Sequence, residues 1–206
     1  MTWLFAFCLL ATGMRAQPAL SDLGQLRDCD LLFHVSPTDN AITAVTEGAD
    51  QQKIDHVGIF LRLDGQPYVL EAIDEGVVYT PLDSVLSRKG HHLVGRVRGP
   101  LDKARTLHRA AAYVGRGYDH FFLPDNSAIY CSELVELSYT LYDGQKVFTP
   151  IPMTFTGDDG QILPYWQTFY EAHGMSVPEG HPGSNPGELS RRKNVRIKYV
   201  LYGFDK

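Results

Sequence analysis

The chain has 206 residues, with 24 acidic against 19 basic side chains and a formal net charge of -5. That length suits one domain, or one domain with a tail, and a domain of this size hides roughly 70% of the surface its unfolded chain exposes, so neither a disulfide framework nor a metal is needed for stability. The acidic balance and the scatter of Lys and Arg argue against a nucleic-acid binder, which carries a basic face; the single basic run, Arg191-Arg192-Lys193, reads as a solvated turn before a strand.

Trp3 to Leu10 is apolar and runs into Ala11-Thr12-Gly13-Met14-Arg15-Ala16 and polar Gln17-Pro18. The run is too short to span a bilayer, which takes about 20 apolar residues. It fits a signal peptide over residues 1–16, cleaved after Ala16, although no Lys or Arg precedes it. The expectation is an exported protein, periplasmic or extracellular, with no stable membrane span after signal removal and a single domain over residues 17–206. Cys8 would leave with the signal, which keeps Cys29 and Cys131. An oxidising compartment permits a disulfide between them. Against pairing, Asp28 and Asp30 flank Cys29 and discourage its ionisation, so Cys29 reads as a small packed residue entering the first strand.

Leu31-Leu32-Phe33 reads as a strand, and Ala41 to Glu47 as a helical turn. Ile54 to Leu63 and Tyr68 to Ile73 are strands joined through Asp64-Gly65, a strong hairpin signal. Gly76 to Tyr79 and Leu93 to Arg98 add two more strands, with a short helix over Asp83 to Arg88 capped by Asp83 and an exposed loop at His91-His92. After Pro100 the period becomes helical through Leu101, Ala104, Leu107, Ala111 and Val114, ending at Gly115 and Gly117. A second helix over Cys131 to Tyr142 stops at Asp143-Gly144 and buries Leu134, Val135, Ser138 and Leu141. A Pro/Gly-rich stretch at about 150–190 reads as a surface excursion packed through Trp166, Phe169 and Tyr170, and Val195 to Leu201 as the last strand. These elements imply an α+β fold, an antiparallel sheet packed against helices.

A two-residue turn at Asp64-Gly65 pairs Leu63 with Gln66, which sets Gly58 opposite Glu71 and His56 opposite Ile73. His56 and Glu71 are then diagonal neighbours on one face, about 7–8 Å apart, with Gly58 leaving space beside both; a three-residue loop would send Glu71 to the other face. A carboxylate beside an imidazole holds it in one tautomer and makes it more basic. Cys131 stands at a helix start, where free N–H groups carry roughly half a positive charge. A thiol there, near an imidazolium, ionises at a pKa of about 3.5–7.5 instead of about 8.5, and the same N–H groups can hold an oxyanion. Plainer roles stand beside these: a core histidine, a solvent-facing glutamate, a structural cysteine. Glu133 and Glu136 read as first-turn and surface carboxylates. A zinc site from Cys131, His56 and His120 lacks clustered ligand spacing, so no metal or other cofactor is expected.

Asp30-Leu31-Leu32-Phe33, His56-Val57-Gly58-Ile59, Glu71-Ala72, Tyr118-Asp119 and Tyr130-Cys131-Ser132-Glu133-Leu134-Val135, in this order, resemble the permuted papain-like amidases, the YiiX/YebB-like branch of the NlpC-type cysteine hydrolases. The resemblance runs from about Asp30 to Tyr142 and implies a circularly permuted papain-like fold in which the histidine precedes the cysteine. It further implies Cys131 as nucleophile, His56 as general base and Glu71 as the orienting residue, with Tyr118 and Tyr130 as substrate-binding residues. Tyr118 has an equally good plain role as a packed aromatic. His34 stands where the family leads one to expect a small or polar residue, which bears on substrate contacts. The implied reaction is amide hydrolysis through a thioester, without cofactor, on a small amide or peptide of peptidoglycan-derived or lipid-linked kind. A thiol acyltransferase, a lipid-modifying hydrolase and a non-catalytic ligand-binding domain are the alternatives.

Overall fold

The computed structural model describes residues 23–157 and 159–203, so the segment read as a signal peptide lies outside the described residues. The elements run β1 (Leu31–Val35), β2 (Ile54–Leu63), β3 (Gln66–Ile73), β4 (Gly76–Pro81), α1 (Leu82–Leu86), β5 (His91–Val97), α2 (Lys103–Ala111), α3 (Cys131–Ser138), β6 (Ile151–Pro152), α4 (Pro164–Ala172), β7 (Pro182–Gly183), α5 (Pro186–Arg191) and β8 (Val195–Tyr202). Six strands form one sheet in the order β4-β3-β2-β1-β5-β8, and every neighbouring pair is antiparallel. The expected α+β architecture is the observed one.

Side chains alternate across a strand, so the sheet has two apolar faces. Leu31, Phe33, Val57, Ile59, Leu70 and Leu93 point to one, where Leu134 and Val135 of α3 and Ala110 of α2 join them. Leu32, Phe60, Val69 and Val94 point to the other, under Leu82, Val85 and Leu86 of α1. At the β2–β3 hairpin, Leu63 pairs with Gln66. Asp64 and Gly65 both take left-handed backbone, φ 49° and 80°, as a two-residue turn of this kind demands. The expected register therefore holds.

The 150–190 stretch is more ordered than an excursion. It contains α4, α5 and the short β6–β7 ribbon, and Tyr130, Met153, Phe155, Trp166 and Tyr170 form a third buried cluster. The start of α5 carries a legible signal that the sequence reading passed over: Asn185 accepts from the Glu188 N–H at 3.0 Å and Pro186 opens the helix.

Other differences have local causes. Helix α1 begins at Leu82 behind Pro81, which leaves Asp83 inside the first turn rather than at the cap. Helix α2 starts two residues late, where the Asp102 carboxylate accepts from the Arg105 N–H at 3.0 Å. Helix α3 stops at Ser138 because Tyr139 turns extended. Ala41 to Val45 is a turn, tied by Asn40 Oδ1 accepting from the Ile42 and Thr43 N–H groups. His91 and His92 lie inside β5, and His92 is buried rather than exposed. Within the basic run Arg191 and Lys193 are exposed as expected, whereas Arg192 ion-pairs with Glu188 and donates to the Thr149 carbonyl at 2.9 Å. Glu136 is buried against Lys146 at 3.2 Å, not a surface carboxylate.

Candidate active site

Cys131 is the first residue of α3, behind Tyr130 in extended conformation. No Ser, Thr or Asp caps this helix start. Instead the Glu133 carboxylate reaches back to accept from the Tyr130 N–H at 3.4 Å and from Asn126 Nδ2 at 2.6 Å. Burial pushes Glu133 up to about 8 in spite of those two bonds. Apolar packing of Leu134 and Val135 on the sheet anchors the helix and so fixes where the sulfur sits.

His56 stands near the start of β2, with Glu71 on the adjacent β3. Their side chains close the diagonal gap: His56 Nε2 and Glu71 Oε2 are 2.7 Å apart. Gly58 permits this, though not by leaving open space. A Cβ there would meet Val69 Cγ1 at 2.3 Å and Glu71 Cβ at 3.2 Å, so the neighbouring strand's side chains occupy the room a glycine releases. With Nε2 engaged by the carboxylate, Nδ1 is the ring nitrogen left to the thiol, and Cys131 lies near enough to this imidazole to favour its charged form.

Glu71 is fully buried, and its second partner is Arg88, a residue the sequence reading assigned only to a helix end. Arg88 donates through Nη1 to Oε2 at 2.8 Å and through Nη2 to Oε1 at 2.6 Å, a bidentate fork. Burial alone would raise the Glu71 pKa, but the bonds from His56 and Arg88 outweigh it and hold the carboxyl well below the usual range. Burial likewise disfavours a charged His56, yet Cys131 and the bond to Glu71 overcome it and raise the imidazole to about 10. The bonded chain thus runs imidazole to carboxylate to guanidinium, with the sulfur beside the imidazole.

A cleft of about 830 Å³ opens over His56, walled by Tyr118, Tyr165, Trp166 and Phe169, with His120 exposed on its rim. A narrow pocket of about 70 Å³ continues from it beside Cys131, walled by Tyr118, Tyr130, Ser132, Trp166 and Ser184. Tyr118 borders both spaces, and burial and the nearby Cys131 hold its phenol well above the ordinary value, so it stays protonated. Tyr130 is buried in the pocket wall, where its hydroxyl accepts from the Ser184 N–H at 3.0 Å and faces the Met153 sulfur at 3.8 Å. Asp119 is buried and accepts from the Phe121 and Leu123 N–H groups at 2.8 and 2.6 Å, which shapes the loop leading to Cys131.

His34 borders the cleft through a network that local sequence did not disclose. Its Nδ1 lies 2.6 Å from Asp55, its Nε2 meets the Lys89 carbonyl at 2.8 Å, and Asn40 donates to the other Asp55 oxygen at 2.7 Å. Cys29 is remote in role: it is buried and unpaired, as is Cys131, and burial with Asp28 and Asp30 pushes its thiol up to about 12. Among the described residues, no group of three His, Cys, Asp or Glu is arranged to hold a metal ion.

Residues 25–196 match the family described as "Permuted papain-like amidase enzyme, YaeF/YiiX, C92 family". Among solved structures, the chain is similar to one titled metalloprotein yiiX from Escherichia coli O157:H7, with a TM-score of 0.70 and 24% identity over 86% of this chain and 99% of that one. No curated protein matches significantly.

Proposed function

The chain belongs to the permuted papain-like amidases of the YaeF/YiiX type, a family of cysteine hydrolases, and on that footing we propose that it cleaves an amide bond with Cys131 as nucleophile, His56 as general base and acid, and Glu71 as the residue that orients the imidazole. The observation carrying this reading is the series of side-chain bonds from His56 through Glu71 to Arg88, with Cys131 beside the imidazole. Each member has a distinct task. Arg88 keeps a fully buried carboxylate ionised; Glu71 holds Nε2 and favours the imidazolium; His56 turns Nδ1 to the sulfur.

In the first step the Cys131 thiol proton passes to His56, the sulfur bonds to the carbonyl carbon, the C–N bond breaks, and His56 hands that proton to the departing amine. First-turn N–H groups of α3 face the oxygen that becomes negative. In the second step His56 takes a proton from water, the hydroxyl oxygen bonds to the acyl carbon, and the C–S bond breaks to release the acid. The open 830 Å³ cleft admits water to His56, which supports hydrolysis over transfer to another acceptor. Tyr118 and Tyr130 wall the space in which the substrate lies. Small amides or peptides of the cell envelope, peptidoglycan-derived or lipid-linked, are the substrates an exported enzyme of this kind would meet.

Release of a fluorescent amine from a panel of short peptidyl amides, followed together with intact mass, tests the reading. Amine release and a trapped acyl adduct on Cys131 are expected, and Cys131→Ala removes both. Undiminished release by Cys131→Ala would sink it.

A further inference from the structure

The two spaces at the site divide the reacting groups between them. The wide cleft is bordered by His56 and not by Cys131; the narrow pocket is bordered by Cys131 and not by His56. During acylation the proton passes from His56 to the departing amine, so the amine half of the substrate belongs over the imidazole, in the cleft. The acyl half stays bonded to sulfur, and the space on the sulfur side is the pocket.

That pocket is narrow, and its walls are not uniformly apolar. Ser132, Ser184 and Trp166 border it, and their Oγ, Oγ and Nε1 atoms are buried with no hydrogen-bond partner among the described residues. Buried polar groups are ordinarily paired, and three unpaired ones around a single space beside a nucleophile are a second observation independent of the catalytic chain. Their chemistry is specific. The indole N–H only donates, and each hydroxyl can donate. The Tyr130 hydroxyl adds a fourth donor, whose acceptor among the described residues is a thioether 3.8 Å away. A group rich in acceptors satisfies this set. No Lys or Arg borders the pocket, whereas the Asp55 carboxylate does, so a second anion would be repelled.

We propose, resting on Cys131 as the nucleophile, that this pocket is the acyl-side subsite and selects a short acyl group bearing a neutral hydrogen-bond acceptor, a carboxamide or carbonyl oxygen, bound by Ser132, Ser184 and Trp166. The amine half is correspondingly the larger and more apolar part, spread over Tyr165, Trp166 and Phe169 in the cleft. A long acyl chain does not fit about 70 Å³.

The test uses the full chain and three alkylating probes of similar size: iodoacetamide, iodoacetate and allyl iodide. In each case the sulfur displaces iodide and forms an S–C bond. Rates at Cys131, read by peptide mapping, are divided by each probe's rate with free cysteine. Iodoacetamide is expected to lead both others by about ten-fold, and Ser184→Ala and Trp166→Phe each to erase about three- to ten-fold of that lead, as loss of one hydrogen bond does, while allyl iodide is unaffected. Ser184→Ala deletes an unpaired buried hydroxyl, so its melting temperature is expected to hold or rise, which separates loss of selectivity from loss of fold. Equal slowing of all three probes, or an unchanged lead in both variants, overturns the subsite alone. A Cys131 no more reactive than free cysteine and indifferent to His56→Ala overturns the catalytic reading and the subsite with it.

Discussion

His56 and His92 occupy the same cross-strand row, each directly opposite His34 on the neighbouring strand, yet they have opposite electrical character. At the β2 end, His56 has a carboxylate at 2.7 Å and a thiol on its other side, and is held as a cation up to about pH 10. At the β5 end, His92 is 1% exposed, has no partner on either nitrogen among the described residues, and is pushed down to about 3 by burial, with His34, His56 and Arg88 adding to the effect. Burial acts against charge at both places. What differs is whether an opposite charge stands within bonding distance, and only the paired imidazole can take part in proton transfer.

The sharpest way to break this contrast is to remove the paired ring. His56→Ala is expected to lower kcat/KM for amide hydrolysis by about 10²–10⁴, the usual contribution of a general base, whereas His92→Leu leaves it within about two-fold; steady-state rates decide both. Arg88→Ala comes next. It strands Glu71 as an unpaired buried charge, and a melting or urea titration should show a loss of about 3 kcal/mol, discounted toward 2 for the part of Arg88 that solvent reaches. Activity should fall with it, because Glu71 then favours protonation over orienting His56.

The pH dependence of stability separates the two rings in opposite directions. His56 is raised in the folded state, so its contribution is complete below about pH 6.5 and is lost as pH rises toward about 10. His92 is depressed, so the unfolded chain binds a proton below about pH 6.5 that the native chain refuses, and stability falls as pH drops toward about 3. Thermal melts should therefore show an alkaline decline that Glu71→Gln blunts. They should also show an acid decline, approaching about 1.4 kcal/mol per pH unit at most, that His92→Leu flattens. An acid limb identical in His92→Leu would assign it to other groups.

Much of this was readable in the chain because it rests on local rules. A two-residue Asp64-Gly65 turn and a period of two are enough to put His56 and Glu71 on one face, and a helical period after Tyr130 is enough to put Cys131 at a helix start. The parts that escaped depend on distant partners. Arg88 lies 17 residues from Glu71, beyond another strand and a helix, with no motif to link them. His92 looked like a loop residue because paired histidines are polar, and its burial is decided by the α1 side of the sheet and by β8. The Asp55–His34 pair spans 21 residues, and Ser184 meets Tyr130 across 54. Packing among such segments has no periodicity to read.

The Asp64–Gly65 tip carries a last consequence. Exposed hairpin tips are where chains ordinarily absorb insertions without harm. Here one added residue, if taken up by slippage of β3 along β2, would rotate Glu71 from the α1 side of the sheet to the α2–α3 side and leave the imidazole unbraced. A scan of single-residue insertions across the surface should find this remote bend intolerant for catalysis, a case in which counting along the backbone, rather than proximity to the reacting atoms, sets what can change.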